Sequence, residues 1–139
     1  MSGTPKTELS VTWSADVPFN NESVRALVPV SPGVYQILQS EEYHRYQGRT
    51  RVLKIGMSER NLQAELLNHF RRHAVANRLA RVRSRKQMIV SIVFAVVPTE
   101  RARKAESALL RQFEDEHWDL PLLNANRGYG RDEDKHYCK

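Results

Sequence analysis

The sequence predicts an α+β fold, with a few short strands packed against helices. Three observations carry this expectation. Two β-type segments, residues 32–38 and 50–56, flank a polar stretch with Gly48 near its end, which is the pattern of a β-hairpin with a long connection. Residues 88–97 are apolar on both faces and read as a strand covered on two sides. Two further segments, about 61–81 and about 100–117, repeat their apolar residues at helical spacing.

The remaining elements are shorter. Residues 1–8 form a polar tail, and 9–13 alternate apolar and polar as a short strand does. Asn20 or Asn21 caps a short helix through Leu27, and Pro29 and Pro32 end it. Leu62, Leu66, Phe70, His73 and Ala80 share one side of the long helix, and Arg60, Arg71 and Arg78 lie opposite. Residues 84–87 read as a turn, and Thr99 as the cap of the last helix. The expected organisation is an N-terminal extension over 1–31, one domain over 32–125 and a flexible, glycine-rich, charged tail over 126–139.

Composition narrows the function classes. With 40% hydrophobic and 27% charged residues, the chain should fold rather than remain disordered. The formal net charge is +6, and its excess is concentrated. Arg71, Arg72, Arg78, Arg81, Arg83, Arg85 and Lys86 fall in one block without an acidic residue. That block suggests a polyanion, most often nucleic acid, or else a solvated basic face. The one cysteine, Cys138, excludes a disulfide within the chain and a Cys-rich zinc site. No membrane-spanning or targeting segment is read, so the expected location is cytoplasmic.

Glu106 is the sharpest anomaly. It interrupts an apolar helical stripe of Ala102, Leu109, Leu110 and Phe113. A carboxylate facing a core costs about 3–5 kcal/mol unless it is paired or holds a metal. It therefore ligates a divalent cation, pairs with an internal cation, or reaches water from the edge of the stripe. Taken alone, Tyr35 is a sheet-packing β-former, and Lys54 an edge-strand lysine that blocks aggregation. His69 stands four residues after Glu65, the spacing of a helical Glu–His contact, and Asn124 suits a turn.

The order of these features is more informative than any one of them. Pro-Gly-Val-Tyr at 32–35 and Lys-Ile-Gly-Met-Ser at 54–58 are followed by Leu62 and His69-Phe70. Glu106-x-x-Leu-Leu and Pro-Leu-Leu-Asn at 121–124 come next. Over about 32–124 this succession resembles the GIY-YIG nuclease superfamily. The resemblance implies a small central antiparallel sheet of about three strands flanked by helices. It also implies a metal-dependent endonuclease that hydrolyses DNA phosphodiester bonds with Mg²⁺ or Mn²⁺. Tyr35 would activate water, Glu106 would hold the metal, and Asn124 would help organise the site. His69 would transfer a proton or touch phosphate. Lys54 replaces the second motif's tyrosine, where it could donate to a phosphate oxygen or favour ionisation of a neighbouring phenol.

One position departs from the family pattern. An arginine that clamps the phosphate is expected four residues before His69, and Glu65 stands there, in an alignment that needs one extra residue after Gly56. Arg72 is the best substitute for it, and Arg60 the second. The resemblance and the basic block together place DNA as partner, through Arg60, Arg71, Arg78, Arg81, Arg83, Arg85 and Lys86. A symmetric cutter would be a homodimer. Without a substitute arginine, the domain would be a catalytically degenerate nucleic-acid-binding module. A small domain docking an acidic protein is the third reading.

Overall fold

The computed structural model describes residues 11–69 and 89–124. The expected continuation of the long helix to 81, the turn at 84–87 and the tail at 126–139 lie outside the described residues. So do Arg71, Arg72, Arg78, Arg81, Arg83, Arg85 and Lys86. The architecture is α+β: strands β1 (Val17–Pro18), β2 (Gly33–His44), β3 (Arg49–Ser58) and β4 (Val90–Val96), with helices α1 (Asn21–Leu27), α2 (Leu62–Asn68) and α3 (Thr99–His117). The four strands form one sheet in the order β1-β4-β2-β3, antiparallel at every pairing.

Four local expectations change. The sheet has four strands rather than about three, because Val17–Pro18 adds to the edge of β4. Residues 11–13 form no strand; the chain attaches through Ser14, whose N–H donates to Phe94 O and whose Oγ accepts from Phe94 N. The hairpin connection is short. Residues 39–44 continue β2, with register shifts between Ile37, Leu38 and Tyr43 absorbing the irregularity. Their polarity reflects a ribbon whose Ser40, Glu41 and Glu42 face water. Thr99 does not cap α3; its hydroxyl donates to Glu59 O instead.

Asn20 caps α1 as expected, its side chain accepting from Ser23 N, and Asn61 caps α2 by accepting from Ala64 N. The two faces of the sheet bury different sets. Tyr35, Ile37 and Ile92 pack with Val24 of α1 and with Leu62 and Leu66 of α2. Val34, Ala95 and Val97 pack with Ala105, and Ile55 packs with Leu110 and Phe113 of α3. Residues ahead of 32 share this core, since Val17, Phe19, Val24 and Val28 are all buried in it. Gly33 lets the centre close up: a Cβ there would strike Ala95 O and Leu62 Cδ1. Among the described residues, no helix is long and apolar enough to cross a membrane.

Candidate active site

The two glycine-containing motifs meet through one tyrosine. Tyr35 and Gly56 are direct partners across β2 and β3. The Tyr35 ring lies over Gly56 so closely that any Cβ there would strike Cζ and Oη of the ring. The glycine therefore fixes where the phenol goes. Tyr35 is fully buried, and its hydroxyl reaches Glu65 of α2 and His69, which caps the end of that helix. Its Oη is 2.6 Å from His69 Nε2 and 3.1 Å from Glu65 Oε2. Glu65 and His69 are four residues apart, with Glu65 Oε2 and His69 Nε2 separated by 3.8 Å.

The phenol has one proton to give, and an ionised carboxylate only accepts. With Glu65 ionised, Tyr35 donates to Glu65, and the direction of the Tyr35–His69 hydrogen bond follows the tautomer of His69. His69 is buried, and its ring meets the Tyr35 ring edge-on at 5.6 Å between centroids. Glu65, where the resemblance leads one to expect an arginine, is a hydrogen-bond partner of Tyr35.

Glu106 enters from α3. It is 6% exposed, so it does not escape to the edge of its stripe. Its pKa is pushed from the ordinary 4.5 up to about 7, first by burial. Lys54 pulls the other way, Glu65 raises it further, and Arg103 lowers it. Lys54 and Glu65 thus act electrostatically on Glu106, and Glu65 is also a hydrogen-bond partner of Tyr35. Lys54 is half-buried on β3, opposite Ile37 of β2.

Asn124 works differently from the others. It is 1% exposed, and its amide lies along β3, with Oδ1 accepting from Ile55 N and Nδ2 donating to Ile55 O. The preceding Leu123 N–H donates to Leu53 O. Residues 123 and 124 thus occupy the outer edge of β3 on either side of Lys54, and Asn124 is a positioning residue. Arg60 is exposed at the start of α2, its N–H bonded to Ser58 Oγ. Arg72 lies outside the described residues.

Could these groups hold a divalent cation? Among the described residues no three His, Cys, Asp or Glu side chains converge as a ligand set. Mg²⁺ does not require such a set, because it keeps several waters and binds through one or two carboxylates plus phosphate oxygens. Glu106 fits as that single donor, in competition with the proton it retains up to about pH 7.

A separate feature lies away from this cluster. An open groove of about 1620 Å³ runs between residues 11–14 and α3, and none of the five cluster residues lines it. Arg101, Lys104 and Arg111 line its helical wall, with Trp13 among the residues facing them and Glu59 and Glu100 at its rim. These cations escaped the sequence reading, although their spacing puts them on one stripe of α3. No family model, curated protein or solved structure matches the chain.

Proposed function

We propose that this domain is a metal-dependent endonuclease that hydrolyses DNA phosphodiester bonds at Tyr35. One observation carries the reading. A buried tyrosine hydroxyl sits 2.6 Å from a histidine nitrogen and bonds Glu65, which together with Lys54 acts electrostatically on the buried carboxylate of Glu106. Polar groups so placed lower stability and are expected where chemistry needs them.

In this mechanism Tyr35 Oη takes a proton from the water that attacks phosphorus while its own O–H proton passes along the hydrogen bond to Glu65. The bond to the leaving oxygen breaks, and solvent protonates that oxygen. Lys54 donates to a non-bridging oxygen of the phosphate. His69 orients Tyr35 through its hydrogen bond. Glu106 would hold Mg²⁺ or Mn²⁺, which when bound withdraws charge from the phosphate and the leaving oxygen. Asn124 keeps β3, and with it Lys54, in place. DNA is the partner, with Arg60 and the basic block 71–86 contacting its backbone.

The test is cleavage of duplex, branched and single-stranded DNA with Mg²⁺ or Mn²⁺. EDTA should abolish it. Glu106→Ala should lower the rate by about 100-fold or more, the scale of losing an electrostatic stabiliser, while DNA binding survives. Failure of the wild-type protein to cut any of these substrates overturns the enzyme reading.

Glu65 favours a second reading. It opposes a phosphate where an arginine would attract one. A catalytically degenerate module would bind nucleic acid with a steep salt dependence from released counterions. It would show no turnover, and Glu106→Ala would leave its affinity unchanged.

A further inference from the structure

We infer that Glu65 is a positioning residue that receives the Tyr35 proton and so fixes His69 as its Nε2–H tautomer. The inference rests on the proposed role of Tyr35 but is tested independently of cleavage. Its basis is the three-way geometry. Oε2 of Glu65 is 3.1 Å from Tyr35 Oη, Nε2 of His69 is 2.6 Å from the same oxygen, and Glu65 and His69 are too far apart, at 3.8 Å, to bond each other directly. Tyr35 is the link between them.

The direction of donation follows from the donor inventory. A neutral imidazole has one N–H, a phenol has one O–H, and an ionised carboxylate has neither. If Tyr35 instead donated to His69, Glu65 would face the phenol oxygen with no proton between them. The arrangement that satisfies both contacts runs from His69 Nε2–H to Tyr35 Oη, and from Tyr35 O–H to Glu65. An arginine at position 65 would reverse it: the guanidinium would donate to the phenol oxygen, and the phenol would turn to His69. The substitution therefore changes what the position does, from clamping phosphate to accepting a proton.

The proton transfer balances without any further reactant. As Tyr35 Oη takes a proton from the attacking water, its own proton passes along the existing hydrogen bond to Glu65. The hydroxide forms the new bond to phosphorus and the leaving oxygen departs. Glu65 returns its proton to solvent through its one-third exposed side chain. Among the described residues, the charged and titratable groups around Glu65 include Tyr35 of β2, His69 beyond α2 and, through its electrostatic coupling, Glu106 of α3, on which Lys54 of β3 also acts.

Nitrogen-15 NMR of His69 in the ligand-free protein at neutral pH reads the tautomer directly. The wild type should show protonated Nε2 and bare Nδ1. Glu65→Ala, at a partly exposed helix position that tolerates alanine, should shift the population toward Nδ1–H. Glu65→Arg should do so more completely. Glu65→Gln, which keeps an acceptor oxygen but cannot take up the proton, should retain Nε2–H, yet lose at least tenfold in rate. A wild-type His69 carrying its proton on Nδ1, or a tautomer unchanged in both Glu65→Ala and Glu65→Arg, overturns the inference. If no substrate is cut while the tautomer responds as described, the nuclease reading fails and this one stands.

Discussion

The two faces of the sheet are built on different terms. On the α3 face, Val34, Ala95 and Val97 meet Ala105, while Ile55 meets Leu110 and Phe113, so apolar groups close on apolar groups. On the α2 face, the apolar packing of Ile37, Leu62 and Leu66 is interrupted by a phenol, an imidazole and a carboxylate that satisfy one another. The α3 face needs only shape, whereas the α2 face keeps polar atoms in a place where hydrocarbon would be cheaper. Glu106 marks the contrast, because it belongs to the helix of the apolar face yet shares its field with Lys54 and Glu65.

The sharpest way to test that contrast is pH. The folded-state pKa of Glu106 lies above its unfolded value, so the folded protein binds the extra proton between the two. Stability is then greatest below about 4.5 and falls as pH rises through about 7. At about 1.4 kcal/mol per pH unit, the loss is on the order of 3 kcal/mol. Glu106→Gln should remove this slope in urea titrations between pH 4 and 8, and be the more stable protein at pH 8. A slope that persists in Glu106→Gln would place the cost elsewhere.

Gly56→Ala probes the packing that aims the phenol. Its methyl group would strike the Tyr35 ring, and the expected cost is about 2–3 kcal/mol in the urea midpoint. Adding Tyr35→Ala should recover more than about 1 kcal/mol by coupling, since the two positions touch. Equal additive losses would show that the ring does not depend on Gly56. The smallest effect belongs to Asn124→Ala, which leaves Ile55 N–H and C=O without their side-chain partner. It should cost about 2 kcal/mol and lower the cleavage rate without changing which metal supports it.

Much of the fold was legible because period and punctuation agree with packing. The run through Val90–Val96 is apolar on both faces because both are packed, Ile92 with Leu62 and Leu66 on one side and Ala95 with Ala105 on the other. The α1 start was marked by its asparagine cap, and α2 begins at the expected position, where Asn61 proves to be its cap. Residues 39–44 misled because an exposed ribbon and a loop are equally polar. Within the candidate site, Glu106 stood out as a residue type out of place, while Tyr35 and His69 had ordinary local readings; the structure joins Tyr35 and His69 by a hydrogen bond and puts Glu106 under the electrostatic influence of Lys54. The role of Glu65 was hidden, since a carboxylate four residues before a histidine has the spacing of any helical pair. Only the register that sets Tyr35 over Gly56 delivers the phenol between them. Asn124 was legible as a turn former, but its hold on Ile55 depends on a chain return of 69 residues that no local pattern encodes.

That return also bears on how the molecule behaves among its own copies. β3 is the outermost strand, and open strand edges recruit other strands. Leu123 and Asn124 occupy the stretch around Leu53 and Ile55 as a short stand-in for a fifth strand. A chain shortened before Leu120 would expose this edge at the level of Lys54, leaving that lysine's charge as its main guard against pairing. Such a truncation would be expected to self-associate before it lost its helices, and light scattering would register the change ahead of circular dichroism.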